Sequence, residues 1–453
     1  MTTTIREAKT DMHEESRRPL GGRAAAVLTA GLFVTLAGCE VTNPGPVADE
    51  GLNETTVHQA LVNGAGRRLS QSISFIGYTG ALPAREIIAG GQTGNGGHDA
   101  TTQAGSLLQT SNGNHWTNAH QSRWIAEDAI RRFSALPAAQ VDAGVFTEAY
   151  LWAGYANRLL GENYCDAVFD GGAREANSKY FERAEKHFTD AIAKAPATAA
   201  GANFKNAAYA GRASVRLWLK NYDGALADAN LVAPAFVAFN VNADQAAEET
   251  RNQIYFSSSN TPYRGFSVFR TFQQIYYDET GDPRVPYGKD AVITFANSQL
   301  SGYGPIPWWY QLKYKTNNDD FRVSSQREMT LIKAEVALVK NDLNTAMTLI
   351  NSLRTGLRSD KTGLPLAPWT AATIAEGWTF LKRERGIELW LEARRLGDLR
   401  RWAENKTPGA VDYPRFEELK KPDGSDGGSL FRNNPPSACF PIPQGELDTN
   451  PNF

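Results

Sequence analysis

Three carboxylates spaced one helical turn apart, Glu384, Glu388 and Glu392, form the pattern in this chain best placed to do chemistry. A carboxylate pair on one helix face can divide acid and base roles, but a row of like charges repels unless cations interleave. Arg383, Arg385, Arg394 and Arg395 interleave here, and no nucleophile or pocket motif accompanies them. The residues therefore point to a scaffold ion network. Among the histidines (His13, His58, His98, His115, His120 and His187), His115-Trp116-Thr117-Asn118-Ala119-His120 lacks the one-turn spacing and the Glu of a zinc helix. No G-x-S-x-G motif surrounds a Ser. The Gly-rich run from Ala89 to Gly97 has no following Gly-Lys-Ser/Thr, so it reads as a flexible loop and not a phosphate cradle. No catalytic and no metal-binding residues emerge.

Cysteine carries a different chemistry. Arg17, Arg18 and Arg23 precede an apolar run from Ala24 to Leu36, followed by Ala37-Gly38-Cys39. Basic residues, a short apolar core and small residues before a cut site describe a signal peptide over residues 1–38. Leu36-Ala37-Gly38-Cys39 resembles the bacterial lipobox, which implies that Cys39 is lipidated by a diacylglycerol and an acyl chain such as palmitate. Met12 is a candidate alternative start. Ser16-Arg17-Arg18-Pro19-Leu20 is loosely twin-arginine-like, although the Sec route fits better. With Cys39 lipidated, Cys165 and Cys439 remain, and outside the cytoplasm they can form a disulfide. The alternative is two buried thiols.

The elements that must position these groups read as mainly helical. The chain has 453 residues, 42% of them hydrophobic and 21% charged, with a net charge of -2, so it offers no electrostatic footprint for nucleic acid. Residues 39–54 are polar with Pro and Gly, as a lipidated tether would be, and one helical domain is expected over 55–453. Ala213, Leu217, Tyr222 and Ala225 recur at the same offsets as Ala334, Leu338, Leu343 and Ala346, with a turn at Lys220-Asn221 and at Lys340-Asn341-Asp342. Phe181, Ala184 and Phe188 repeat the second half of that pattern. An apolar stripe with a small residue that admits a neighbour is the logic of tetratricopeptide helix pairs. The expected pairs are 55–75 with 117–135, 144–163 with 178–195, 201–219 with 222–232, and 326–340 with 342–357. Residues 76–115 and 234–322, rich in Gly, Pro, Asn and aromatics, read as long irregular insertions. Residues 380–402 read as a further helix, with Ile387, Trp390, Leu391, Leu396 and Leu399 on one apolar face.

That last segment resembles a known family. Arg383-Glu384-Arg385 through Glu388-Leu389, then Glu392-Ala393-Arg394-Arg395 and Asp398-Leu399-Arg400-Arg401-Trp402, are similar to the hallmark helix of the SusD/RagB family. Arg327 to Ala337 resembles its last repeat and Leu343 to Leu357 the partner helix. Gly281-Asp282-Pro283-Arg284 resembles its "DPR" element, and Phe440 to Asn452 its terminal "PIP…E…NPN" signature. The chain departs at Glu392-Ala393-Arg394, where many members carry Gly-His before the Arg, and in having Cys165 and Cys439.

The resemblance implies an all-α, tetratricopeptide-like scaffold with long loop insertions, no reaction and no cofactor. It implies an outer-membrane lipoprotein at the cell surface that binds a nutrient, an oligosaccharide or a peptide, and passes it to a TonB-dependent, SusC-like β-barrel. A lipid-anchored helical-repeat scaffold for protein or peptide partners is the alternative. Binding would rest on aromatic faces stacked on sugar rings and flanked by amides and carboxylates. The expected patch is Tyr303, Trp308, Trp309 and Tyr310, with Tyr263 nearby in sequence, because two Pro residues break helix there and three adjacent aromatics cannot all point inward. Tyr255, Tyr276 and Tyr277 lie close by in sequence.

Overall fold

The computed structural model describes residues 49–91, 99–261 and 263–453. Cys39, the signal segment 1–38, most of the tether, and Gln92 to Gly97 of the Gly-rich run lie outside the described residues. The helices are α1 (His58–Ala81), α2 (Ala100–Gln103), α3 (Gly113–Ala135), α4 (Ala143–Asn163), α5 (Ser178–Lys194), α6 (Ala199–Trp218), α7 (Tyr222–Leu231), α8 (Gln253–Ser258), α9 (Phe272–Thr280), α10 (Gln326–Val339), α11 (Leu343–Ser352), α12 (Ile374–Glu388), α13 (Arg395–Glu404), α14 (Ser429–Asn433) and α15 (Gln444–Thr449). The expected pairs form: α1 packs on α3, α4 on α5, α6 on α7 and α10 on α11. The repeat extends to the turns. Lys220 and Asn341, at equivalent positions, both take left-handed φ (58° and 60°). The next residues, Asn221 and Asp342, cap the following helices through the amides of Gly224 and Thr345. Small residues set the spacing, since a Cβ on Gly154 of α4 or Gly211 of α6 would stand 2.6 or 2.3 Å from the Phe188 ring between them.

The two insertions are more ordered than irregular loops. Helix α1 continues six residues beyond the expected 75, because Ile76, Tyr78 and Ala81 keep the apolar stripe and are buried. Within and around 234–322 run short antiparallel ladders: β1 (Ile88–Ala89) with β5 (Phe266–Ser267), β4 (Ala238–Val241) with β8 (Phe321–Ser325), and β6 (Tyr287–Lys289) with β7 (Trp309–Gln311). β2 (Asp166–Ala167) pairs with β3 (Glu175–Ala176) beside α4. Asp49–Asn53, expected in the tether, forms a 3-10 turn whose Asp49 carbonyl accepts from Arg132 (2.9 Å).

The segment 380–402 is not one helix. Helix α12 ends at Glu388 and α13 begins at Arg395, and between them Leu391 and Ala393 take left-handed φ (56° and 58°). The helical hydrogen bonds given up there are replaced by tertiary ones. The Leu391 amide donates to Glu86 Oε1 (3.2 Å), and its carbonyl accepts from the Tyr314 hydroxyl (3.2 Å). The Glu388, Trp390 and Ala393 carbonyls accept from Arg322, Lys313 and Asn163. Leu389, Trp390 and Leu391 are buried among these partners, so tertiary bonding outweighs helix propensity.

The expected ion network surrounds this break. Arg284 of the DPR element bonds Asp282, Glu384 and Glu388. Arg322 bonds Glu388 (3.3 Å) and Glu392 (2.6 Å), Arg327 bonds Glu388 (2.8 Å), and Lys313 bonds Glu392 (2.6 Å). Arg385 grips Asp398 across the break at 2.8 and 2.9 Å, while Arg394 reaches Glu162 of α4 (2.9 Å) and Glu328 of α10 (2.8 Å). Burial pushes the Glu388 carboxyl up, but Arg327, Arg284 and Arg322 outweigh it and hold the group down to about 2. Glu86 differs: burial pushes it up to about 7, against the fields of Arg395 and Lys313.

The tail after Asn433 folds back on α4. Phe440 exchanges backbone hydrogen bonds with Asn163 (2.7 Å) and Cys165 (2.9 Å), and a Cys165–Cys439 disulfide closes the join.

Two expectations follow. The disulfide closes a sequence separation of 274 residues, so replacing both cysteines by Ala is expected to cost up to about 5 kcal/mol in denaturant unfolding. Alkylation of the native parent should modify neither thiol. Glu86 keeps its proton to about pH 7 when folded and to about 4.5 when unfolded, so stability falls as pH rises between those values. Glu86→Gln should match the parent near pH 4.5 and exceed it by up to about 3 kcal/mol above pH 7. An equal difference at both pH values would refute the assignment.

Candidate functional site

The expected aromatic patch is divided by strand geometry. In β7 successive side chains alternate faces, so neighbours in sequence part in space. Trp308 and Tyr310 share one face, their rings 4.7 Å apart, and Trp309 stands on the other. Trp308 is only 3% exposed; its indole N–H donates to the Ser258 carbonyl (2.7 Å), and Arg264 lies 6.0 Å from its ring. Tyr263 leans on Phe256 (3.9 Å) near the end of α8. Tyr303 belongs to neither face: it is buried at 8% exposure in a small core with Leu300, Ile306, Phe416 and Phe431. Trp308 and Tyr303 are therefore core residues without a free ring face, a correction to the expected set. The Pro305 and Pro307 punctuation does keep the segment extended, but it also turns every second side chain inward.

Trp309 anchors the arrangement that remains open. Its half-buried indole meets Phe269 edge-on (5.1 Å) and Tyr287 (5.8 Å), and Tyr287 in turn meets Tyr277 (5.6 Å). Pairing of β6 with β7 sets Lys289 opposite Trp309, and its ammonium stands 4.2 Å over the indole. Polar groups border this ladder. The Tyr287 hydroxyl donates to Asp278 (2.9 Å), which also accepts from Gln274 and from Lys361 (3.2 Å). Burial and the bond to Asp278 push the Tyr287 phenol up to about 12, while the donors around Asp278 hold that carboxylate low against its own burial. Beside the ladder opens a cleft of about 510 Å³ lined by Arg270, Phe272, Ile275, Tyr413 and Phe416. Arg270 follows the Phe269 ring that Trp309 touches and takes left-handed φ (62°), a strain that clusters at binding sites. A larger cleft of about 620 Å³ between α1, α4 and β4 presents Trp152, but that side chain is 7% exposed and offers no ring face.

Sequence reading names Trp309 and notes Tyr277, but misses Tyr287, Lys289, Asp278 and Arg270. Only the β6–β7 register brings residues 287–289 beside 309–311. The carboxylates Glu384, Glu388 and Glu392 lie in the ion network, each bonded to Arg or Lys side chains.

Residues 309–453 match the model of the SusD family. This C-terminal third carries the signature of the SusD family. Its match begins at Trp309 and takes in the broken helix and the tail. Solved structures share the fold over most of its length. A surface glycan-binding protein A from Bacteroides uniformis aligns with a TM-score of 0.61 at 14% identity, covering 88% of this chain and 98% of that one. A SusD-like carbohydrate binding protein from Bacteroides vulgatus gives 0.59 at 14% identity, covering 88% and 97%. A SusD superfamily protein from Parabacteroides distasonis gives 0.59 at 14%, covering 88% and 98%. No curated protein sequence matches the chain.

The two tryptophans should separate in a stability measurement. Trp308→Ala removes a buried ring and orphans the Ser258 carbonyl, and is expected to cost about 3–5 kcal/mol in denaturant unfolding. Trp309→Ala, at a half-buried position, should cost less than half of that. Equal losses would contradict the division of the two faces.

Proposed function

We propose that this SusD-family chain is an outer-membrane lipoprotein, anchored through Cys39 at the cell surface, that captures an oligosaccharide and delivers it to a SusC-like, TonB-dependent β-barrel. It performs no reaction in this role. The observation that carries the reading is the Trp309–Tyr287–Tyr277 ladder. Its half-open aromatic faces would stack on sugar C–H faces, and Asp278, Lys289 and Lys361 would meet hydroxyls. Tyr310 and Tyr263, both half-buried, extend the expected contact on the other face of the hairpin. Two of the structural relatives are described as glycan- or carbohydrate-binding, which supports the ligand class.

The test is a glycan and peptide array on the form beginning at residue 40, followed by titration of Trp309→Ala/Tyr287→Ala. Loss of two ring contacts is expected to weaken binding about tenfold or more. Unchanged affinity in the folded double variant would remove the ladder from the site. Binding of peptides with no glycan response would favour the alternative, a helical-repeat scaffold for protein partners. Pull-down of the lipidated protein from outer membranes should recover a large β-barrel.

A further inference from the structure

We propose that the chain carries a second saccharide contact, remote in sequence from the ladder, on helix α3 with Trp124 as its platform. The inference rests on the glycan-capture reading and adds a site to it. Trp124 is 53% exposed, and among the described residues its indole stacks on no other ring and holds no cation. An exposed Trp on a regular helix forgoes the burial that this side chain ordinarily gains. Thr117 and Gln121, both exposed, precede it at helical spacing and put a hydroxyl and an amide on the same stripe. The stripe borders a cleft of about 290 Å³, floored by Trp116 and walled by Asp170 and Gly171. That is the scale of a small ligand, and one exposed apolar side chain among polar ones is too little for a protein interface.

The far wall is held in place from several directions. Asp170 and Gly171 are consecutive left-handed residues (φ 52° and 74°). Arg123 fastens the Asp170 carboxylate (2.5 Å). The tail asparagines Asn450 and Asn452 donate to the Gly172 (2.9 Å) and Gly171 (2.7 Å) carbonyls. The Trp116 indole donates to Glu446 of α15 (3.4 Å). A wall pinned by α3 and by the tail loses little entropy when a ligand arrives. An aromatic face with hydroxyl, amide and carboxylate around it matches a pyranose ring, and two such contacts on one chain favour long glycans over short ones.

The probes are the methyl pyranosides of glucose, galactose, mannose and xylose, titrated into protein labelled with 5-fluorotryptophan. The fluorine resonances are assigned with Trp124→Phe and Trp309→Phe. A saturable shift of the Trp124 resonance that persists in Trp309→Ala is expected. A shift at Trp309 alone would overturn this site and leave the capture reading intact. Silence at both with all four sugars would remove both. An equal Trp124 shift with glycerol would mark a solvent effect and overturn the site. Trp124→Ala, at an exposed position, should keep the parent melting temperature. In a glycan array it should lower affinity for polysaccharide about tenfold while leaving trisaccharides of the same sugar unaffected; equal losses for both lengths would count against a second contact.

Discussion

Everything in this fold hangs on a set of buried charges around a helix that stops and restarts. Glu384, Glu388 and Glu392 would be costly to bury alone, and the guanidinium and ammonium groups facing them would be equally costly. Together they form one connected object, because Arg284 and Arg322 each touch two of the carboxylates. Removing any one member leaves its partners charged and dry, so the set acts as a unit. Its partners come from α10, the DPR turn and β8, which lie far apart in sequence.

The site inherits its position from that unit. Arg284 ties the turn before β6 to Glu384 and Glu388, and Lys313 ties the segment after β7 to Glu392, so both strands of the Trp309 hairpin are moored to carboxylates that Arg322 links. The repeat helices supply the other side of the anchorage through Glu162 and Glu328. A hairpin of three residues a strand would be marginal by itself. Here its ends are held by charge-assisted bonds and its rings by a core.

The helical repeats were legible in the sequence because their signal is periodic and local: Ala213 and Ala334 start the same spacing, and the turns after them fold alike. The network was legible in kind, since three carboxylates among arginines admit few other fates. The break at Leu391 and Ala393 was not. It is made by Glu86, Lys313, Tyr314 and Asn163, and nothing near residue 391 announces them. The aromatic patch was half legible. Composition located the aromatic segment, but period-two alternation sends Trp308 and Trp309 to opposite faces, and a run of adjacent aromatics hides that division. Tyr287 escaped notice because its partner lies across a long connection, and ladder register is a tertiary fact.

The tail has a consequence for the order in which this molecule can be assembled. Ser437, Phe440 and Gln444 complete hydrogen bonds with Gly105, Asn163 and Gln109, and Asn450 and Asn452 complete those of the 171–172 turn. These acceptors belong to the first two-fifths of the chain and are translated long before their donors. The N-terminal helix pairs therefore wait, unfinished, for a segment that is made after every other helix pair. Completion of the fold waits on the tail, and the Cys165–Cys439 disulfide can close only once it is in place. A chain cut short before the tail lacks the piece that seals it.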